Sequence, residues 1–259
     1  MKQTNKQTQL NQKPSEILNL LYRFRFLSRQ QIQTLLGHKH HSRILNWLNE
    51  LLEQKYILKF YEKSFVKDPA VYCLDKLGRK YLKDVGKVDI KPLSRAWRNP
   101  KYSSNFRSHC LFLVDIYISL LKLASKSELV IQFHTKTDLY GMEHLITPKP
   151  DAYFSLEDKD KDTKRYFLDI FDDIPPVALR KRVKQYLEYY NSDEWQDNTG
   201  KSFPEIILIC PNPRIKSHLY HFIKNKLSDD EPAFYLAVKD VVASKGLTRE
   251  TLQRVQLDE

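Results

Sequence analysis

Six glycines and three cysteines among 259 residues exclude several common chemistries. So few glycines leave no Gly-rich phosphate cradle and no P-loop, and therefore nothing that points to a nucleotide cofactor. Cys73, Cys110 and Cys210 are odd in number, far apart and set among apolar neighbours. That pattern fits neither a disulfide framework nor a zinc finger. No uninterrupted apolar run reaches 18 residues, so no transmembrane helix is expected. The opening stretch MKQTNKQTQLNQKPSE is polar and lacks the apolar segment of a signal peptide, so a cytoplasmic location is expected. Disorder throughout is excluded as well. Hydrophobic residues make up 41% and aromatics 12%, enough for two small cores or one large one.

Basic charge is plentiful, and it is uneven. The net charge is +11, yet residues 1–107 carry 22 basic against 8 acidic residues, while residues 108–259 carry 21 against 24. A uniformly basic coat protein would not divide this way. The split points to one anion-binding domain joined to a near-neutral one.

The first part has a readable order. Residues 1–13 are Gln-, Asn- and Lys-rich and are expected to be a disordered tail. Pro14-Ser15-Glu16 opens a helix with Ile17, Leu18, Leu20, Leu21 and Phe24 at helical spacing. Ser28 is an N-cap for a short second helix, which Gly37 stops. A third helix is expected over His41–Gln54, with Ile44, Leu45, Trp47, Leu48, Leu51 and Leu52 on its buried side. Tyr56–Tyr61 and Ala70–Leu74 read as two strands of a hairpin, and Asp75 caps a helix running to Leu82. The stretch Tyr72–Leu82, Y-C-L-D-K-L-G-R-K-Y-L, resembles the wing-to-helix segment Y-x-L-T-x-x-G-x-x-x-L of winged-helix repressors. The resemblance implies a winged helix-turn-helix over residues 14–85.

In that fold the third helix enters the major groove of duplex DNA with its N-terminal end nearest the bases. Lys39, His41, Ser42, Arg43 and Asn46 are the candidates there, since Arg pairs with guanine and Asn with adenine. Lys59, Lys63 and Lys67 on the wing are candidates for phosphate contacts. A solvated basic face that binds protein is the plain alternative. His38, His40 and His41 lack a Cys or carboxylate at ligand spacing, so a phosphate or base contact, or a polar loop, is preferred to a metal site. Residues 86–105 read as a linker, with Pro92, Pro100 and no sustained period. Arg95, Arg98, Lys101 and Arg107, interleaved with Trp97 and Tyr102, are candidates either to track a DNA backbone or stack a base, or to pack across the domain boundary.

The second part, residues 106–245, reads as α-β-β-β-α-β-α-β, followed by a tail over 246–259. A buried helix over Phe106–Ser125 comes first, and the Pro204–Cys210 run PEIILIC reads as a central strand covered on both faces. This order resembles the PD-(D/E)XK nuclease superfamily, the restriction-endonuclease-like fold. Pro150-Asp151 opens the second strand and Asp169 lies in the third, after 17 intervening residues. Two carboxylates at adjacent strand ends imply Mg²⁺ in an active member, with a metal-activated water attacking a phosphodiester. The superfamily lysine belongs two residues beyond the second acid, where this chain has Phe171. Some members move it to the following helix, where Arg180, Lys181, Arg182 and Lys184 stand, and Lys184 is the candidate. Asp169 in its apolar strand requires a cation, either Mg²⁺ or a basic side chain such as Lys184.

The whole arrangement resembles the replication-relaxation family of bacterial plasmids and integrative elements. The matching positions are His109, Pro150, Asp151, Asp169, Asp172, Lys184 and Tyr186. Family members often read E-x-D where this chain has Asp169-Ile170-Phe171-Asp172-Asp173. The resemblance implies a DNA-binding protein in replication, copy control or mobilisation, with double-stranded DNA as partner and either a second copy or replication and mobilisation proteins beside it. A Mg²⁺-dependent endonuclease with Asp151 and Asp169 as metal ligands, and a dimeric winged-helix repressor, are the two alternatives.

Overall fold

The computed structural model describes residues 10–61, 70–86, 88–172, 174–227 and 232–257. They form a mixed α/β protein of two compact units, Met1–Leu111 and Phe112–Glu259.

The first unit opens with α1 (Gln12–Phe24), which buries Ile17, Leu18, Leu21 and Phe24 along one face. The helix begins within the segment expected to be a tail. Arg25 ends it with φ +71°. Next, β1 (Leu27–Ser28) leads into α2 (Arg29–Leu35). Ser28 Oγ accepts the Gln31 backbone N–H, and the Gln31 side chain accepts the Ser28 N–H, so two orphan donors are satisfied reciprocally. After the Gly37 turn, α3 (His41–Glu53) buries Ile44, Leu48 and Leu51, with Leu45, Trp47 and Leu52 half-buried. Strands β2 (Ile57–Phe60) and β3 (Val71–Leu74) follow, and the sheet order is β1-β3-β2, all antiparallel. A two-residue strand carries no composition signal, so β1 was not foreseeable as the third strand.

Helix α4 (Lys76–Val85) is capped by Asp75. It crosses the Tyr56 carbonyl so closely that a Cβ on Gly78 would lie 2.2 Å from that oxygen. This contact gives the glycine of the repressor-like motif its physical reason. The expected linker is folded for most of its length. It holds α5 (Ile90–Arg95) and a 3₁₀ turn over Ala96–Lys101, with Leu93, Ala96 and Asn99 buried. Asn99 Oδ1 accepts Arg25 Nε and Nη2 at 3.2 and 2.9 Å. This long-range anchor is what a search for local periodicity misses.

Helix α6 (Ser104–Ser127) runs from the first unit into the second. By length and composition it is the one described helix long and apolar enough to cross a membrane, and 39% of its most apolar stretch is buried. This corrects the expectation that the helix is largely buried. Asp115 and Lys122 interrupt its apolar run. Its buried positions include Cys110 in the first unit and Val114, Ile116, Leu120 and Ala124 in the second.

The second unit is built on six strands: β4 (Val130–Thr135), β5 (Ala152–Glu157), β6 (Thr163–Ile170), β7 (Glu205–Cys210), β8 (Phe234–Val238) and β9 (Gln253–Arg254). They lie in that spatial order, β6, β7 and β8 mutually parallel and the rest antiparallel. Between them come α7 (Pro176–Asn191), α8 (Glu194–Thr199), α9 (Pro213–Lys224) and α10 (Lys239–Lys245). Leu179, Val183 and Tyr186 of α7 and Leu219 and Ile223 of α9 pack against Phe167, Phe171, Leu208 and Phe234 of the sheet face. Positions 206–210 of β7 are all buried, as a strand covered on both faces requires. The expected C-terminal tail is part of this unit. Val255 is buried and its N–H donates to the Phe234 carbonyl at 2.9 Å, so the segment covers the edge of β8.

Candidate functional site

Two places carry the expected residues. The first is the start of α3. Gln33 Nε2 donates to the His38 and Lys39 carbonyls at 3.2 and 3.3 Å, and Arg29 Nη1 donates to Gln33 Oε1 at 3.0 Å. The turn before α3 is thus tied to α2. His38 packs edge-on against Trp47, ring centroids 5.2 Å apart, so it shapes the turn. Lys39, His41, Ser42, Arg43 and Asn46 are all exposed. None of the five makes a side-chain ion pair or hydrogen bond to another described residue. Arg43 and Asn46, three residues apart, share one side of this helix start, and their side-chain donors are open to a ligand.

On the hairpin, Lys59 is half-buried with its Nζ 4.6 Å from the Tyr61 ring centroid, and contact with Tyr61 raises its pKa. Lys63 and Lys67 lie outside the described residues. Arg95 and Arg98 are exposed on the folded 90–101 segment. Arg107 turns inward, its Nη1 donating to the Tyr102 carbonyl at 2.8 Å and its guanidinium lying 5.1 Å from the Phe60 ring. His109 stacks on Phe106, ring centroids 6.1 Å apart.

The second place lies between β6 and α7. Ala152 pairs with Leu168 in the antiparallel register, which puts Asp151 opposite Asp169. The Asp151 N–H donates to Asp169 Oδ1 at 3.3 Å, and Asp151 Oδ2 accepts the Ile170 N–H at 2.9 Å. The two acids therefore meet, as the strand ends suggested.

The cation facing Asp169 is Arg182, and not Lys184. Arg182 Nε donates to Asp169 Oδ2 at 2.6 Å, with both side chains over nine-tenths buried. Tyr186 Oη donates to the same oxygen at 2.9 Å and accepts from Arg182 Nη2 at 3.1 Å. Arg182 Nη1 donates to the Pro148 carbonyl at 2.6 Å. Positions 179, 182, 183 and 186 form the inner face of α7, while Lys184 is on the exposed side. Burial and then the adjacent Asp169 carboxylate push the Tyr186 phenol well above its ordinary pKa. Burial works against the Arg182 charge, but Asp169 and Tyr186 more than offset it and hold its pKa above the usual value.

These residues do not fit Mg²⁺. Both Asp169 oxygens are engaged by protein donors, and Asp151 Oδ1 faces Lys136 Nζ at 3.4 Å. Phe171, where the superfamily lysine would stand, is buried in the apolar cluster. Asp172 is bound by Lys239 Nζ at 2.8 Å. Among the described residues no group of three His, Cys, Asp or Glu side chains could hold a metal ion. Arg182 was the residue sequence reasoning passed over. The helical spacing of Leu179, Val183 and Tyr186 was the signal that could have selected it.

The family model for Replication-relaxation matches residues 18–206, more than half of the chain. A search of curated proteins gave no match. Among solved structures, two mutant forms of Lactococcus lactis ZitR align at 17% and 16% identity. They cover 45% and 48% of this chain and 75% and 80% of their own, with a TM-score of 0.28 in each case. A likeness that distant defines no fold.

Proposed function

The chain belongs to the replication-relaxation family, and we propose that it is a DNA-binding protein of a plasmid or mobile element, acting in replication, copy control or mobilisation. One observation carries this reading. The exposed, unpaired start of α3 presents Lys39, His41, Ser42, Arg43 and Asn46 from a unit whose net charge is +14, from 22 basic and 8 acidic residues. The order α1-β1-α2-α3-β2-β3 with a three-stranded antiparallel sheet supports a winged helix docked on duplex DNA, with α3 in the major groove.

The second unit is read as a PD-(D/E)XK-like domain that no longer cleaves. The mixed sheet with α6 before it and α7 after β6 supports the fold. The Arg182–Asp169 pair, standing where a cation would bind, supports the loss of chemistry. The protein would act in the cytoplasm, where its DNA lies.

Selection of bound fragments from a random duplex library, followed by gel shift on the enriched site, tests the reading. Arg43→Ala should cost roughly 1–3 kcal/mol on the selected site and little on unrelated duplex. No enriched motif, or equal loss on every sequence, would remove the assignment of α3. The same protein on supercoiled plasmid with Mg²⁺ or Mn²⁺ should leave the DNA intact. Nicking abolished by Asp169→Ala would instead establish the endonuclease.

A further inference from the structure

Tryptophan is usually largely buried, and two of the three here are at least partly covered: Trp195 is buried and Trp47 packs against His38. Trp97 is 48% exposed. Its 3₁₀ turn is anchored from beneath. Ala96 and Asn99 are buried, and Asn99 Oδ1 accepts from Arg25. Trp97, Arg98 and Lys101 are exposed. The Arg98 guanidinium lies 5.5 Å and Lys101 Nζ 4.9 Å from the indole centroid. Neither cation has an acidic partner among the described residues.

An exposed aromatic plate beside two unpaired cations matches a ligand that is both flat and anionic. A nucleic-acid strand with unstacked bases supplies both features. A duplex supplies the phosphates but keeps its base faces stacked on one another. We propose that the Trp97–Arg98–Lys101 turn binds single-stranded DNA, with Trp97 stacking on an unpaired base and Arg98 and Lys101 taking the flanking phosphates. The inference rests on the reading of this unit as DNA-binding and adds to it a strand-type preference separate from α3. On binding, the cations exchange a ring face for phosphate, which frees the ring for the base.

Fluorescence anisotropy of the full chain with a labelled oligothymidylate of about 16 nucleotides, and with a mixed-sequence duplex, tests it. Wild type should bind both. Trp97→Ala should weaken oligothymidylate binding about 5- to 150-fold, the factor that ~1–3 kcal/mol of stacking represents, and leave duplex binding unchanged. Trp97→Phe should restore most of the loss, because any aromatic face stacks. The Arg98→Ala/Lys101→Ala double variant should flatten the salt dependence on the single strand by about 1.4 in log–log slope, at ~0.7 per phosphate. Equal losses on single strand and duplex would overturn the proposal, and so would a Trp97→Phe variant with a native circular-dichroism spectrum that binds as weakly as Trp97→Ala. Duplex binding with no single-strand binding would overturn this inference alone. Binding to neither would remove the DNA-binding reading with it.

Discussion

Replacing Arg182 with alanine leaves Asp169 as a buried carboxylate without its cation. The Tyr186 hydroxyl and the Asp151 N–H remain as donors at 2.9 and 3.3 Å, but no positive charge does. Breaking one partner of a buried pair costs about 3–5 kcal/mol, because the survivor keeps its desolvation penalty. A domain this size has roughly 5–15 kcal/mol to lose, so the second unit should lose a large fraction of its stability. With a urea dependence of about 2 kcal/mol per molar, the midpoint should fall by about 1.5–2.5 M. Trp195 is buried in the core cluster of this unit, so its fluorescence reports the transition. Two controls sharpen the result. Lys184→Ala, on the outer side of the helix, should stay within about 0.5 kcal/mol of wild type. The paired change Arg182→Met/Asp169→Leu should recover most of the loss, since removing both charges also removes the desolvation cost. A cost below about 1 kcal/mol for Arg182→Ala, or a larger cost for Lys184→Ala, would refute the assignment of Arg182 as the internal cation.

Two further outcomes are expected. Gly78→Ala places a Cβ 2.2 Å from the Tyr56 carbonyl oxygen and should destabilise the first unit by about 1–3 kcal/mol, seen as an earlier urea transition; wild-type stability would show that α4 slides without cost. Burial raises the Cys73 and Cys210 thiols from 9.0 to about 12, so each favours the folded state fully below pH 9, and that contribution is lost as pH rises toward 12. Stability should then fall by about 1.4 kcal/mol per pH unit for each thiol across that window, and urea midpoints that stay flat to about pH 11 would contradict their burial.

Elements with local signals were legible before the structure. Ser28 and Asp75 are short polar residues placed before apolar periodic runs, and both cap helices. The run Ile206–Cys210 has strand length, β-branched content and no polar face, which only a central strand tolerates. What stayed hidden depends on distant partners. β1 is two residues long and exists through pairing with Val71 and Tyr72. The segment 90–101 looked like a linker because its helical face is only Leu93, Ala96 and Asn99, and Asn99 becomes an interior residue only when Arg25 arrives from α1. The closing segment 246–257 has little apolar content of its own and becomes structure by covering β8. At the site, Asp151 and Asp169 were read as standing at adjacent strand ends, and in the fold the Asp151 N–H lies 3.3 Å from Asp169 Oδ1. The basic run alone pointed to Lys184, whereas the helical wheel of α7, with Leu179, Val183 and Tyr186 inward, puts Arg182 beside Asp169.

Arg182 and the basic residues of the first unit differ in burial and partnering, and not in chemistry. Arg182 spends its guanidinium on Asp169, Tyr186 and the Pro148 carbonyl, so it has nothing left for a phosphate. Arg43, Arg98 and Lys101 are exposed and hold no acid, so their charge is available to a ligand. Composition scores all four alike. A cation whose partner lies within the folded chain is withdrawn from ligands, while an exposed cation without one stays available. Arg182 is of the first kind and Arg43, Arg98 and Lys101 of the second, and these three lie in the unit that holds the excess of basic residues. The salt dependence of DNA affinity should then respond to substitutions at Arg43, Arg98 and Lys101 and be indifferent to Arg182 in any variant that still folds.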